Sequence, residues 1–326
     1  MRKRPLLVDL FSGAGGFARG FEEAGFITVL AIDNDRAASR SFMANFPTAI
    51  VLVEDIRDVS CDDVKYVLGG VNVDVVIGSP PCEPYTGANP RRKERPLDRL
   101  YSDPGGALVL EFIRIVSCLK PKVFVMENVP AIMEGELKSA LVKEFRKCGY
   151  ERIFFNVLRA HEHGTPSRRT RVFISNIPLR PKRLRKVITV WEAIGDLPEP
   201  SHDPIIPNHE PPPPFSGKKL KRVIRLRWGS SLIKYEGAEG RMLPNLIKLH
   251  PKKLAPTVLG SSRFIHPYEF RLLTVREQAR LMGFPDYHVF LGGRDEQYNQ
   301  VGEAVPPPLA KAIALEVLRY LGLSNG

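Results

Sequence analysis

Short apolar runs alternate with amphipathic segments over residues 5–178 of the chain. The apolar runs are rich in β-branched and aromatic residues and predict strands at 5–11, 27–33, 48–55, 73–78, 122–128, 152–158 and 171–176. Between them, apolar residues recur at helical spacing over 17–24, 35–46 and 107–119. Strands that alternate with helices are typical of an α/β fold with a doubly wound, mostly parallel sheet.

The alternation stops after about residue 196. Residues 197–217 read LPEPSHDPIIPNHEPPPPFSG, which is too rich in proline for regular structure and indicates a linker or an extended segment. Helical periodicity returns at 273–284, where Thr274 and Glu277 form a capping-box pattern. A final amphipathic helix is expected at 307–322, with proline at its start and glycine near its end.

The composition is that of a globular protein with one large core, or with one large and one small domain. We find no signal peptide and no apolar run long enough to cross a membrane. His161 and His163 have no companion ligands, so no metal site is predicted. The cysteines show no paired spacing and are expected to be free thiols of an intracellular protein: Cys61, Cys82, Cys118 and Cys148.

Positive charge is concentrated in one quarter of the chain. The formal net charge is +12, and residues 180–260 hold 16 Lys or Arg against 7 Asp or Glu. A localised basic region is the footprint expected of a protein that binds a phosphate backbone. The alternative is a solvated basic surface without a partner.

A glycine loop joins the first strand to the first helix in VDLFSGAGGFARGFEEAGF, residues 8–26. Such a loop lets a ligand approach the backbone at the start of the helix. Asp33, twenty residues after Gly13, suits the two hydroxyls of a ribose, and Asp55 suits an adenine amino group. The loop lacks the GxGxxG pattern and a Walker lysine, which favours S-adenosylmethionine over a dinucleotide. The alternative is a turn needed only for packing.

The fourth strand runs into two prolines and a cysteine in VVIGSPPCEPYT, residues 75–86. Pro80 and Pro81 stiffen the turn and fix the direction of Cys82, at the sheet edge where ligands bind in this architecture. An arbitrary cysteine is usually an inert core residue. Here a long basic segment, 86–106, follows and predicts a lid over a polyanion and a field that favours the thiolate.

Two further pairs of polar residues lie at the ends of predicted strands. Glu127 and Asn128 close the fifth strand, where a carboxyl group beside a nucleophilic cysteine suits covalent catalysis with acid assistance. The alternative is a turn or helix-capping pair. Arg169 and Arg171 lie two residues apart at the start of a strand, so both face one side and suit a carbonyl oxygen or a phosphate.

Taken together, these stretches resemble the DNA (cytosine-5) methyltransferases, which act with S-adenosylmethionine, in their prokaryotic form. The matching segments follow the order of that family over nearly the whole chain: DLFSGAGGF, SPPCEPYT, MENVP, SRRTRVF, RLLTVREQARLMGFPD and YNQVGEAVPPPLA. The resemblance implies a Rossmann-like catalytic and cofactor-binding domain, 1–196 plus 298–326. It also implies a smaller, irregular target-recognition domain with a hinge at 197–297.

The resemblance assigns catalytic roles. Cys82 would attack carbon 6 of cytosine, and Glu127 would protonate the ring nitrogen or donate a hydrogen bond to it. Arg169 would hold the ring carbonyl, and Arg171 would support the site. Methylation at carbon 5 of a base in double-stranded DNA requires that the base be flipped out of the duplex.

The resemblance also supplies a cofactor set. Phe11 would stack on the adenine of S-adenosylmethionine, Asp33 would hold the ribose, and Asp55 with Ile56 would bind the adenine edge. The remaining expected cofactor residues are Ser12, Gly13, Ala14, Gly15, Gly16, Asn34, Pro80, Leu108, Glu303 and Ala304.

Double-stranded DNA is the expected partner, bound by a monomer in the prokaryotic cytoplasm near the nucleoid. A separately encoded restriction endonuclease is the expected companion. The side chains expected to contact DNA are Arg91, Arg92, Lys93, Lys218, Lys219, Lys221, Arg222, Arg225, Arg227 and Thr257.

Three positions depart from the family pattern: Glu83 and Ser167 stand where glutamine is usual, and Glu303 where asparagine is usual. Three other functions stay open. A tRNA cytosine-5 methyltransferase shares the catalytic motifs, a silent DNA-binding protein shares the fold, and a nicotinamide dehydrogenase shares the glycine turn.

Overall fold

The computed structural model describes residues 4–323, so the first and last three residues of the expected catalytic domain lie outside it. The strands are β1 (Leu6–Leu10), β2 (Ile27–Ile32), β3 (Ile50–Leu52), β4 (Val75–Gly78), β5 (Val123–Asn128), β6 (Phe154–Arg159), β7 (Thr170–Ser175), β8 (Ser231–Glu236), β9 (Met242–Lys248) and β10 (Phe264–Ile265). The first seven fall on the seven predicted strands.

The first seven strands form one sheet in the order β3-β2-β1-β4-β5-β7-β6. The first five strands in this order, β3, β2, β1, β4 and β5, pair in parallel. The prediction of a mostly parallel α/β sheet is confirmed. The departure is β7, which runs antiparallel to both β5 and β6. Only residues 160–169 separate β6 from β7, too few for the crossover that a parallel pair needs.

Eleven α-helices lie within residues 4–323: α1 (Gly16–Glu23), α2 (Arg36–Asn45), α3 (Cys61–Val67), α4 (Pro96–Tyr101), α5 (Leu108–Leu119), α6 (Leu137–Lys147), α7 (Val190–Ile194), α8 (Gly217–Ile224), α9 (Val275–Leu281), α10 (Arg294–Glu303) and α11 (Pro307–Tyr320). No helix in this part of the chain is long and apolar enough to span a bilayer.

The alternation of side chains along the strands builds a core on each face of the large sheet. On one face Val8 and Val76 pack with Phe112 of α5 and Phe145 of α6. The opposite face packs against α1, α2 and α11. Helices α1 and α11 approach so closely that a Cβ on Gly20 would lie 2.4 Å from the Cβ of Ala310. The last helix therefore completes the domain that the first strand begins.

A three-stranded sheet, β10-β9-β8, forms a second and smaller unit. Its own core contains Phe215, Val223, Leu232, Leu246 and Ile265. Residues 195–216 hold no helix or strand, as their proline content predicts. Helix α9 begins at the expected capping box, where Thr274 accepts a hydrogen bond from the backbone of Glu277 at 3.1 Å.

The expectation of four free thiols is wrong for two of them. Cys61, at the start of α3, and Cys118, in the last turn of α5, form a disulfide with their Cα atoms 5.8 Å apart. A sequence separation of 57 hid this proximity, because it arises only when α3 packs against α5. Cys82 and Cys148 are free. Arg114 of α5 also donates to the backbone carbonyls of Ile56 and Val59, so the segment just before α3 is tied to α5 as well.

Reduction of the disulfide should destabilise the fold. For a loop of this length the crosslink contributes about 2–4 kcal/mol to the free energy of unfolding. We expect the midpoint of thermal unfolding of the Cys61→Ser/Cys118→Ser protein to fall by several degrees. Thiol-reducing agent should lower the midpoint of the wild type by the same amount and leave that of the variant unchanged. Equal midpoints in oxidised wild type and variant would show that the crosslink does not stabilise the protein.

Candidate active site

The site lies at the point in the sheet where the strand order reverses. Strands β1 and β4 are adjacent and parallel, and the chain leaves them towards opposite sides of the sheet. Their carboxyl ends carry the glycine loop and the Cys82 loop, and the amide of Ser79 donates to the carbonyl of Leu10 at 3.2 Å. Such a switch point forms the ligand-binding crevice of an open α/β sheet.

Hydrogen bonds hold the Cys82 loop in one conformation. The amides of Tyr85 and Thr86 both donate to the carbonyl of Cys82 at 3.0 Å. The side chain of Asn128, at the end of β5, donates to the carbonyl of Pro80 at 3.1 Å. The buried Tyr85 hydroxyl donates to the carbonyl of Gly106 at 2.9 Å. The direction of the thiol therefore depends on the neighbouring strand as well as on the two prolines.

Glu127 and Arg171 form a buried ion pair beside Cys82. Arg171 Nε lies 2.9 Å from Glu127 Oε1, and the two side chains are 8% and 6% exposed. They meet because β7 pairs antiparallel with β5, which brings the start of β7 to the carboxyl end of β5. Glu127 and Arg171, which belong to separate sequence motifs, are therefore direct neighbours in the site.

Arg169 occupies a different position. Its Nη1 donates to the carbonyls of Val258 at 2.7 Å and Gly302 at 2.9 Å, and the residue is 2% exposed. Burial and the nearby Arg171 lower its pKa. The guanidinium therefore joins the residues just before β7 to the segment between β9 and β10 and to α10.

Burial raises the pKa of the Cys82 thiol. Arg171 and Arg169 act in the opposite direction, and Glu127 and Glu83 add to the rise. The expectation that the positive field would favour the thiolate is wrong in net effect, because the cost of burying the anion is larger than the attraction of the two arginines.

The glycine loop carries a strained backbone at the edge of β1. Phe11 has a φ of 56°, and Gly15, just before α1, has a φ of 87°. A Cβ on Gly15 would lie 2.2 Å from the ring of Phe46, so only glycine fits there. A non-glycine residue held in the left-handed region is typical of ligand-binding sites.

Asp33 is fixed by two backbone amides. Its Oδ2 accepts from Gly13 at 2.7 Å and its Oδ1 from Asp35 at 2.8 Å. Burial raises the pKa of Asp33, although these amides oppose the rise. Ser12 Oγ is buried and has no hydrogen-bond partner. An orphaned hydroxyl beside a fixed carboxylate fits the polar groups of a nucleoside, so these residues suit S-adenosylmethionine.

Asp55 is less free than expected. Arg57 binds both of its carboxylate oxygens, at 2.9 and 2.6 Å, and lowers the pKa of Asp55. An adenine amino group would share this carboxylate with Arg57. Ile56 is buried, and Leu108, the first residue of α5, is half-buried.

Glu303 stands at the end of α10 among other acids. Its carboxyl lies against the backbone of Gly260, where an added Cβ would come within 2.7 Å of Oε1. Although the residue is exposed, partial desolvation of its carboxyl, together with the charges of Glu83, Asp35 and Asp33, raises the pKa of Glu303 to about 7, and Arg169 opposes the rise. Two of the three departures from the family pattern, Glu83 and Glu303, thus act on each other.

The expected DNA contacts divide into two groups. Lys218, Lys219, Lys221, Arg222, Arg225 and Arg227 are exposed on and just after α8, and Arg91 is exposed on the Cys82 loop. Arg92 is held by two glutamates, and Lys93 Nζ donates to the carbonyl of Ser102 at 2.7 Å. The hydroxyl of half-buried Thr257 donates to the carbonyl of Arg168.

Sequence reasoning missed Asp9, which is buried in β1 near Asp33. Burial, followed by the charge of Asp33, raises the pKa of Asp9 well above its ordinary value. A carboxylate inside an otherwise apolar strand was the available signal. Residues 4–323 contain no group of three or more His, Cys, Asp and Glu arranged to hold a metal ion.

Comparison with known proteins gives a consistent result. The family model described as C-5 cytosine-specific DNA methylase matches residues 6–203 and 217–319. A protein of Methanocaldococcus jannaschii, named as a candidate type II methyltransferase, is 48% identical, and the alignment covers 97% of this chain and 99% of that protein. The type II methyltransferase M1.HphI of Haemophilus parahaemolyticus is 36% identical over 96% of this chain and 86% of its own length.

A solved structure supports the fold. It is described as a candidate DNA modification methyltransferase encoded within a prophage of E. coli, and it superposes with a TM-score of 0.76. The alignment covers 98% of this chain and 100% of that chain, at 24% sequence identity. At this identity the likeness establishes the fold alone.

The raised thiol pKa predicts slow alkylation of Cys82 at neutral pH. We expect modification by iodoacetamide, followed by mass spectrometry of the Cys82 peptide, to accelerate steadily as the pH rises to 9 and beyond. Arg171→Ala should slow the reaction further at every pH, since it removes a cation that opposes the rise. Fast modification that is independent of pH between 7 and 9 would contradict a raised pKa of the Cys82 thiol.

Glu303 predicts a pH-dependent stability difference. Its pKa is raised in the folded state, so the folded protein binds this proton more tightly, and the penalty for ionising it develops from about pH 4.3 to about pH 7. The thermal midpoint of Glu303→Gln should therefore exceed that of the wild type at pH 8, with a smaller difference at pH 5. Glu303→Asp, which keeps the charge, is the control. An equal difference at both pH values would exclude the effect.

Proposed function

The chain belongs to the C-5 cytosine-specific DNA methylases and methylates DNA at carbon 5 of cytosine; we propose that its methyl donor is S-adenosylmethionine and its target a flipped-out cytosine in a specific duplex sequence. The observation that carries the proposal is the convergence of Cys82, Glu127 and Arg171 at the switch point, next to the strained glycine loop.

Each catalytic group has a task that its surroundings suit. Cys82 Sγ, once it has lost its proton to solvent, adds to carbon 6 of the cytosine, and Glu127 holds a proton at the ring nitrogen beside the amino group. The ring then carries an enamine, which makes carbon 5 nucleophilic. After methylation, loss of the proton from carbon 5 expels Cys82 and restores the ring. S-adenosylmethionine supplies the electrophilic methyl group when it is bound.

The two arginines divide the remaining work. Arg171 is already paired with Glu127, so we assign the ring carbonyl to Arg171. Arg169 has committed donors to Val258 and Gly302, and we assign it the support of the loops around the site. This exchanges the roles that the resemblance implies. Both guanidiniums also lower the cost of forming the Cys82 thiolate.

The cofactor would be held by residues that take no part in the covalent steps. Asp33 would bind the ribose, Phe11 would stack on the adenine, and Ser12 would find a partner for its buried hydroxyl. Ile56 and Leu108 would line the apolar side of this subsite, and Asp55 the polar edge. Gly13, Ala14, Gly15, Gly16, Asn34, Pro80, Glu303 and Ala304 complete the proposed set.

We propose that residues 197–297 form the target-recognition unit and hinge, with 1–196 and 298–326 as the catalytic domain. The separate small core and the exposed cations of α8 support this division. A basic helix on the small unit suits the DNA backbone, and binding should weaken strongly with salt. We further propose a monomer of the prokaryotic cytoplasm, near the nucleoid.

Relatives named type II methyltransferases support a place in a restriction-modification system with a separately encoded endonuclease. The same names, with a family described as specific for DNA, favour DNA over tRNA as the substrate. The retained Cys82, Glu127 and Arg171 argue against a silent DNA-binding protein.

The direct test is transfer of labelled methyl from S-adenosylmethionine to unmethylated genomic DNA, with total tRNA assayed in parallel. We expect label in DNA only, as 5-methylcytosine within one recurring sequence. Cys82→Ala should lower the rate at least about a thousandfold, as loss of a covalent nucleophile does. Arg171→Ala should lower kcat more than Arg169→Lys does. Label in tRNA alone, or equal activity of Cys82→Ala, would refute the proposal.

A further inference from the structure

The loop that follows Cys82 touches the small sheet directly. The amide of Ala238, in the turn between β8 and β9, donates to the carbonyl of Gly87 at 2.9 Å. Beside it, Arg92 Nη2 lies 2.9 Å from Glu239 Oε1. These contacts bridge the catalytic loop and the proposed target-recognition unit.

Arg92 is anchored on the catalytic side. Its Nη1 donates to the carbonyl of Tyr85 at 3.2 Å and lies 3.2 Å from Glu134 Oε2, and its side chain is only 11% exposed. Glu134 is itself held by Arg99 at 2.6 Å. Arg92 therefore moves with the loop, and its attachment to Glu134 is braced by a second arginine.

Glu239 is the weaker partner. Its side chain is 82% exposed, and an ion pair with so much solvent contact contributes little to stability. Its backbone is in the left-handed region, with φ 60° and ψ 30°, which is unfavourable for a residue with a side chain. The turn thus holds the Glu239 carboxylate against the loop. Its backbone conformation is one that the turn would leave readily.

A second junction joins the two units at Arg168 and Arg169, just before β7. Arg168 donates its amide to the carbonyl of Ala255 at 2.9 Å, and Arg169 binds Val258 as described above. This junction rests on the buried guanidinium of Arg169 and on a backbone hydrogen bond to the buried Ala255, whereas the Glu239 side chain of the other bridge is exposed. Of the two, the exposed bridge is the one that can part without disrupting the core.

We propose that the Arg92–Glu239 pair is a latch that holds the catalytic loop against the small unit in the DNA-free protein, and that a DNA phosphate releases it by replacing Glu239 on Arg92. A phosphate binds a guanidinium through two charge-assisted hydrogen bonds, and it brings more negative charge than one exposed carboxylate. Release then frees the loop to close over the target. The inference rests on the proposed DNA substrate.

Glu239→Gln tests the latch without DNA or activity. Arg91, Arg92 and Lys93 are tryptic sites within the latched loop. We expect trypsin to cut this loop roughly three to ten times faster in Glu239→Gln than in the wild type, since cleavage follows the open population. Glu236→Gln makes the same charge change three residues away and should be cut at the wild-type rate. Equal rates for Glu239→Gln and the wild type would overturn the latch.

The exchange with phosphate is tested on the working enzyme. Glu239→Gln should lower KM for DNA several-fold, with kcat within twofold of wild type. Glu236→Gln should lower KM less. A fall in kcat with KM unchanged would instead make Glu239 a fixed brace and overturn release. Arg92→Ala should reduce the slope of log affinity for duplex DNA against log salt by about 0.9, and an unchanged slope would refute phosphate binding by Arg92.

The two proposals fail separately. A wild-type protein without activity on any DNA would refute the proposed function, whereas the trypsin experiment would still decide whether Glu239 holds the loop.

Discussion

The parallel pairing of β1 with β4 brings two loops to one edge of the sheet, and each loop carries part of the proposed active site. The loop after β1 presents the groups that suit a nucleoside, and the loop after β4 presents the thiol. Strand β5 then adds Glu127 on the other side of β4, and β7 adds Arg171 because it runs antiparallel to β5. No catalytic residue lies in the middle of an element, so the strands can be packed for stability while their ends are free for chemistry.

This arrangement places charged groups in a confined space, and burial dominates their behaviour. The thiol of Cys82 and the carboxyls of Asp9, Asp33 and Glu303 all have raised pKa values with burial as the largest cause. Removing water makes each charge costly, but it also strengthens the effect of Arg171 on whatever occupies the site. A site of this kind is poor at ionising its nucleophile at rest. It suits a reaction in which the substrate itself supplies the last interactions.

The large domain could be predicted in detail because its strands are short, apolar and separated by glycine or proline. The sequence did not reveal the β6–β7 hairpin, since a strand pattern carries no sign of its direction. The small sheet was also missed. Strand β8 exposes Ile233, and β9 contains Pro244, so neither has the clean alternation of a half-buried strand. The Cys61–Cys118 disulfide and the division of labour between Arg169 and Arg171 depend on contacts between distant segments. Such contacts become visible only when the fold is known.

The packing of α11 on α1 has a consequence for the synthesis of the protein. The helix that follows the glycine loop buries its face against the last helix of the chain, and Gly302 and Glu303 reach the site just before that helix begins. Ribosomes add about 5–20 residues per second, so the first strands emerge long before their final partner. A nascent chain therefore holds an incomplete site until α11 has emerged. A fragment that ends before α11 lacks the helix against which α1 packs.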